Sequence, residues 1–200
     1  MNINFEEMYL EKLQKYVGRK LNIIQKENEI KIIYDVETSY VLKENHNKQY
    51  SFYSIQRNEL MEIAEYYSEE EMKREFAIAI KGFFSEEIDY SGANKLETAK
   101  EMSVVKGVME SQIGNEYYSI GQSQEMKINL EQKGENEYNI YLLGTNGERN
   151  YIEENLEAPF VFVRFYNEAL FLKVMKERIE EYQEIFNEKL SEEEIYNIVK

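Results

Sequence analysis

The run KLNIIQKENEIKIIYDV, residues 20–36, decides the fold class. Residues 20–25 and 29–36 have strand character, and Glu27-Asn28 between them reads as a turn. A connection this short joins antiparallel strands, because parallel neighbours need a crossover of about a dozen residues or more. A doubly wound parallel sheet is therefore excluded. Upstream, Asn4 fits a helix N-cap, with Glu6 and Glu7 in the first turn where the helix dipole favours acids. Phe5, Tyr9, Leu13 and Tyr16 follow at helical spacing, and Gly18 is the expected stop.

Downstream, strand character continues at 40–43 and, after the polar turn at 44–48, through the Tyr/Phe-rich run 49–55. Residues 59–66 fit a helix through Leu60, Ile63 and Tyr66, whereas the repeat described next argues for a strand. Ser68 with Glu71 three residues on has the form of a capping box. It opens an expected helix to about Ile80, with Met72, Phe76 and Ile80 on one face and Gly82 as its close.

The same order recurs at an offset of 96 residues. Val17-Gly18 aligns with Ile113-Gly114, Ile24 with Ile120, and Glu29-Ile30-Lys31-Ile32 with Glu125-Met126-Lys127-Ile128. With small length changes Tyr40 meets Tyr138, and Tyr66-Tyr67-Ser68-Glu69 meets Phe165-Tyr166-Asn167-Glu168. The second copy is expected to run as a helix over about 96–111 that stops at Gly114. Strands follow at 116–121, 126–131, 138–143 and 148–153, with Gly144-Thr145-Asn146-Gly147 as a hairpin turn. Pro159 suits a strand start, so 160–165 is expected as a strand. A long helix carrying Phe171, Met175, Ile179, Tyr182 and Phe186 comes next, and Ser191 with Glu194 caps a short last helix bearing Ile195, Ile198 and Val199.

The expected fold is α+β: two tandem repeats of helix, antiparallel meander sheet and helix, with helices covering one face of each sheet. The expected domains are a first repeat over 1–84, a linker over 85–95 and a second repeat over 96–200 with an extra C-terminal helix.

Composition narrows the function classes. The 200 residues include no Cys and one His. Thiol nucleophiles and Cys-based metal centres are therefore impossible, and any triad would have to use His46. No Ser/Asp constellation surrounds His46, which reads as an exposed loop histidine. The net charge of −15 argues against nucleic acid as direct partner, since phosphate binding needs clustered Lys and Arg. No apolar run is long enough for a membrane span, and the acidic start lacks the apolar core of a signal peptide, so a cytoplasmic location is expected. The acid runs after Ser68, Ser85 and Ser191 read as helix starts, so neither a metal nor a cofactor is expected. Gly144-Thr145-Asn146-Gly147 lacks the Lys-Ser/Thr of a phosphate loop.

The 17 Tyr are the remaining signal. Tyr is favoured on half-buried sheets and also at interface hot spots. In the pairs Tyr66-Tyr67 and Tyr117-Tyr118, one member of each is expected to face out. An acidic surface carrying exposed Tyr suits a basic partner, whose approach complementary charge accelerates.

Residues 49–57, QYSFYSIQR, followed by Tyr66-Tyr67-Ser68-Glu69-Glu70-Glu71-Met72, resemble the aromatic strand, Arg turn and amphipathic helix of small α+β immunity proteins from bacterial polymorphic-toxin systems. The resemblance spans residues 49–83, with a fainter echo to about Ile179, and the second copy lacks the Arg turn in register. It implies a non-enzymatic cytoplasmic inhibitor that binds a toxin domain or other basic protein and occludes it. The residues expected to bind the partner are the outward-facing acids and tyrosines Asp35, Glu37, Tyr53, Tyr117, Tyr118 and Tyr141. Two other readings stay open. One is a homo-oligomeric adaptor pairing through an open sheet edge or face. The other is a carboxylate-only hydrolase, which would need two acids to converge in a concave pocket.

Overall fold

A computed structural model describes residues 6–45 and 49–200. The elements run α1 (Glu7–Val17), β1 (Asn22–Lys26), β2 (Glu29–Ile33), β3 (Thr38–Glu44), β4 (Tyr50–Gln56), β5 (Glu59–Tyr66) and α2 (Glu69–Phe84). A 3-10 turn (Ser91–Leu96) follows, then α3 (Met102–Gln112), β6 (Tyr118–Ile120), β7 (Ile128–Gln132), β8 (Glu137–Leu143), β9 (Arg149–Glu157), α4 (Phe160–Phe186) and α5 (Glu192–Val199). The fold is α+β, with two sheets each flanked by helices. It is repeat-like without being a clean tandem duplication: one sheet has five strands and the other four. The chain divides into two compact units, residues up to Glu86 with Glu181–Glu188, and Glu87–Glu180 with Lys189–Lys200.

In the first unit, α1 ends as its sequence dictates. Gly18 adopts φ +80°, and its N–H donates to the Gln14 and Lys15 carbonyls (3.0 and 3.1 Å). Glu6 occupies the N-cap, and the Asn4 and Phe5 expectations lie outside the described residues, as does His46. The five strands form an antiparallel meander in chain order, and 59–66 is a strand. Ile30, Ile32, Leu42 and Phe52 alternate onto the helix face, where the Phe52 ring meets Phe76 of α2 edge-on at 5.1 Å. Full burial of such side chains contributes roughly 1.5–3 kcal/mol each. Of the capping box expected at Ser68 and Glu71 one half is present: the Ser68 hydroxyl accepts from the Glu71 N–H (3.1 Å). Gly82 does not end α2, which continues to Phe84. Phe83 stacks on Tyr40 (4.3 Å), Phe84 packs edge-on to Tyr34 (4.9 Å), and these contacts hold the extra residues helical. The end of α4 belongs to this core, with Tyr182 and Phe186 edge-on to Tyr16 at 5.8 and 6.0 Å.

In the second unit, five expectations are corrected. The helix expected over 96–111 begins at Met102; Leu96 closes a 3-10 turn, and Gly92 and Ala93 before it are buried. Residues 160–165 are not a strand but the first turns of α4. Burial of Val161, Phe162, Phe165, Tyr166, Ala169 and Leu172 follows a helical period. Pro159 lies just before that helix, and its carbonyl accepts from the Phe162 N–H (3.0 Å). Phe171, expected on the packed face of α4, is exposed. The alignment of Tyr66–Glu69 with Phe165–Glu168 fails with it, since one stretch leaves a strand and the other is helical.

The last correction concerns topology. The sheet is not a pure antiparallel meander, because β6 pairs with β7 in parallel. The connecting loop, 121–127, is far shorter than an ordinary crossover. It is held by Asn129 on β7: Asn129 Oδ1 accepts from the Gln124 N–H (2.7 Å), and Nδ2 donates to the Gln124 and Lys127 carbonyls (3.0 and 2.7 Å). Gly121 (φ +86°) and Met126 (φ +57°) supply the two sharp reversals. α4 covers one face of this sheet, with Phe162 against Tyr138 (5.4 Å) and Phe165 against Tyr118 (5.9 Å). The C-terminal α5 has the expected capping box at Ser191 and Glu194, and Tyr196 is its buried residue.

Candidate interaction surfaces

The hairpin β4–β5 carries the most distinctive surface of the first unit. Its turn is Arg57-Asn58, with φ +49° and +68°. Positive φ at both central residues defines the type I′ turn that matches strand twist, here made without glycine. Gln56 and Glu59 flank the turn, so they are the hydrogen-bonded pair from which the ladder alternates. By that alternation Leu60 and Glu62 direct their backbone N–H and C=O away from β4. β5 is an edge strand, and among the described residues no other backbone pairs with that side.

A bulge at Ile63 re-phases the strand. Glu62 pairs with Tyr53, but Ala64 pairs with Phe52 and Glu65 with Ser51. Glu62 and Glu65 are three residues apart and would fall on opposite faces of a regular strand. The extra residue brings both to the face opposite the helices, alongside Leu60 beside Ile55. Leu60 and Met61 are 56% and 61% exposed, and Glu59, Glu62 and Glu65 are also exposed. Glu59 and Glu62 have no ion-pair partner among the described residues, while Glu65 accepts from Gln49 Nε2 (3.3 Å) and the Tyr67 hydroxyl (3.4 Å).

Three of the expected partner-binding residues lie in this unit. Asp35, in the β2–β3 loop, is exposed; its Oδ1 accepts from the Glu37 and Thr38 N–H groups (2.8 and 2.7 Å). The Glu37 N–H chiefly, joined by Thr38, holds its carboxyl below the usual range against the opposing effect of desolvation. Asp35 therefore shapes its own loop. Glu37 is exposed and pairs with Arg57 Nε at 3.1 Å, an exposed ion pair of little energetic weight. Glu37, Thr38, Gln56, Arg57, Glu59, Leu60 and Met61 line a groove of about 710 Å³ at the hairpin's tip. Tyr53 is half-buried at the middle of the face that bears Glu62, with Lys43 Nζ 6.0 Å from its ring centroid.

The other three lie in the second unit, and two do not face outward as expected. Tyr118 is 8% exposed because it packs on Phe165, and its hydroxyl donates to Asn115 Oδ1 (2.8 Å). Burial, followed by the nearby Glu110 carboxylate, raises its pKa. Tyr141 is 1% exposed although it does not belong to the helix-facing core. The 121–127 loop closes over it, with Ser123 Oγ 2.5 Å from its hydroxyl; Tyr151 packs beside it and Arg149 lies 4.6 Å from its ring centroid. Tyr117 is half-buried, with Lys173 5.9 Å from its ring; burial first, then Glu177, raises its pKa. One member of each Tyr pair is more exposed: Tyr67 over Tyr66, and Tyr117 over Tyr118. A groove of about 410 Å³ borders Tyr118, with Lys106, Glu110 and Lys127 among its lining residues.

The β5 residues are the ones sequence reasoning overlooked. Acids at 59, 62 and 65 recur every third residue, which reads as helical, and the bulge that reconciles them with a strand has no glycine to announce it. Among the described residues no group of three or more His, Cys, Asp or Glu side chains is placed to hold a metal ion. Among them also, no helix is long and apolar enough to cross a membrane. Comparison with known protein families, curated proteins and solved structures found no match.

Proposed function

We propose that this chain is a non-enzymatic, acidic protein-binding module that masks a basic protein, in the manner of an immunity-type inhibitor. The observation that carries this reading is the β5 strip, where exposed Leu60 and Met61 stand among Glu59, Glu62 and Glu65 on a chain of net charge −15. Apolar contact supplies affinity, while the acids steer a cationic partner and disfavour acidic competitors. The mechanism is occlusion without turnover, and in this reading the protein acts in the cytoplasm. Glu37, ion-paired with Arg57, borders the strip, exposed Asp35 adds negative charge in the β2–β3 loop, and Tyr53 offers a stiff aromatic surface on the same sheet.

The free edge also favours a second reading, self-association. Pairing β5 with a second copy would set carboxylates against carboxylates, and like charges directly opposite one another destabilise a sheet. A heterologous basic partner removes that cost.

Capture from the source cell's lysate at low and high salt tests the proposal, with a Glu59→Lys, Glu62→Lys, Glu65→Lys variant as control. The expected result is a basic protein retained at low salt, weakened at high salt, lost with the variant, and inhibited when the purified chain is added to it. Retention that ignores salt and charge reversal, or a captured protein whose activity is unchanged by the chain, would overturn the masking role. Concentration-dependent dimerisation by light scattering would favour self-association instead.

A further inference from the structure

The proposed function leaves open how a basic partner is held, and the geometry of β5 narrows it. Edge strands of stable sheets are commonly blunted by charged side chains, proline, a bulge or a covering element. β5, ELMEIAEY, has neither Lys nor Pro, and its bulge at Ile63 lies past Leu60 and Glu62. Among the described residues nothing pairs with the backbone of its outer side, where Leu60 and Glu62 present N–H and C=O groups. Its side chains bring Leu60, Glu62 and Glu65 to one face, in register with Ile55, Tyr53 and Ser51 of β4. An incoming strand would find hydrogen-bonding groups along its edge, the carboxylates of Glu62 and Glu65 on one face, and Met61 and Ala64 on the other.

Resting on the reading of this chain as a binder of basic proteins, we propose that recognition occurs by strand addition. An extended segment of the partner, with Lys or Arg alternating with apolar residues, joins the first sheet at the free edge of β5. Main-chain hydrogen bonds to Leu60 and Glu62 supply affinity, and alternate side chains supply specificity. The segment's cations meet Glu62 and Glu65 on one face, and its apolar side chains, which point to the other face, pack beside Met61 and Ala64. The groove lined by Leu60, Met61, Glu59 and Glu37 takes the side chain at the hairpin end. The acids serve twice: they attract the cationic strand and deter a second β5 from pairing there.

The test uses the full chain and an acetylated decapeptide alternating lysine and valine, followed by fluorescence anisotropy at low salt. Two control peptides have the same composition: one is N-methylated at alternate backbone nitrogens, and one carries its lysines and valines in separate blocks. The alternating peptide is expected to bind at least tenfold tighter than either control. Leu60→Pro, which removes an outward N–H without changing charge, is expected to weaken it about tenfold, and Glu62→Lys with Glu65→Lys at least as much. Hydrogen exchange should slow at Leu60 and Glu62 when the peptide is added. If Leu60→Pro fails to fold, the N-methylated peptide on the wild-type chain gives the same discrimination. Equal binding of all three peptides would overturn strand addition while leaving an acidic binder in place. Protection confined to another surface would also overturn it. No binding of any lysine peptide at low salt would overturn both readings.

Discussion

Replacing Asn129 with Leu tests whether one side chain sets the unusual topology of the second sheet. Asn129 is 1% exposed and makes three hydrogen bonds to the 121–127 loop, at 2.7, 3.0 and 2.7 Å. A buried hydrogen bond contributes about 1 kcal/mol net, so removing all three costs about 3 kcal/mol. Leucine has a similar volume, which keeps a cavity from confounding the result. The freed groups belong to Gln124 and Lys127, in the loop that turns β6 parallel to β7. The cost should therefore appear as local opening of β6, ahead of unfolding of the unit. Two amides report on it: the Gly121 N–H donates to the Leu130 carbonyl (3.1 Å), and the Ile128 N–H to the Tyr117 carbonyl (3.0 Å). At about 1.4 kcal/mol per factor of ten, exchange at these amides should quicken about a hundredfold. Amides of the β8–β9 hairpin should change far less. Asn129→Asp keeps the acceptor but sets a buried carboxylate against the Gln124 and Lys127 carbonyls, and should open the loop at least as much as Asn129→Leu. Less than a threefold change at Gly121 and Ile128 in the Leu variant would refute the assignment of Asn129 as the loop's anchor.

Other perturbations follow from the same contacts. Lys81 Nζ donates to the Tyr16 carbonyl at the end of α1 (2.6 Å) and pairs with Glu181 (2.9 Å). Lys81→Met keeps the stem but removes this charge-assisted hydrogen bond and the ion pair, and chemical denaturation should show a loss of about 2 kcal/mol in the first unit. Glu75 is held above the usual carboxylate range by burial first and then by Glu71, with Arg74 opposing. An acid whose folded pKa is raised binds its proton more tightly when folded, so this residue's penalty appears as pH rises from the unfolded value through the folded one. Glu75→Gln should therefore melt higher than wild type at neutral pH, with the difference closing below about pH 4, where both states are protonated. An unchanged difference between pH 7 and pH 3.5 would refute the assignment. A Cβ on Gly92 would stand 1.9 Å from Gln112 Oε1 and 2.1 Å from the Tyr166 hydroxyl, which are bonded to each other at 2.7 Å. Gly92→Ala should cost about 1–3 kcal/mol by overpacking, and thermal melting without a shift would show that the pair moves aside freely.

Much of the first unit was legible in its residues, because its determinants are local. Gly18 stops α1 through its own φ, Ser68 and Ser191 cap helices three residues ahead, and the hairpin at 27–28 needs only its flanking strands. The outward acids Asp35 and Glu37 were legible for the same reason: polar loop residues face water unless something covers them. Tyr118 and Tyr141 were not, because each is buried by a partner distant in the chain, Phe165 in one case and the 121–127 loop in the other.

The sequence by itself determined an α+β chain with acidic surfaces, capped helices and antiparallel hairpins, since propensity, capping and turn length act over a few residues. Tertiary structure alone decided the rest. Residues 160–165 are apolar enough for a buried strand or a buried helix, and their packing beneath the second sheet selects the helix. The parallel setting of β6 depends on Asn129, a side chain whose partners are backbone groups in a loop. The shared face of Glu62 and Glu65 depends on a bulge fixed by the register of β5 against β4. In each case the deciding energy lies in contacts that form only once distant segments meet, and no periodicity within the segment encodes it.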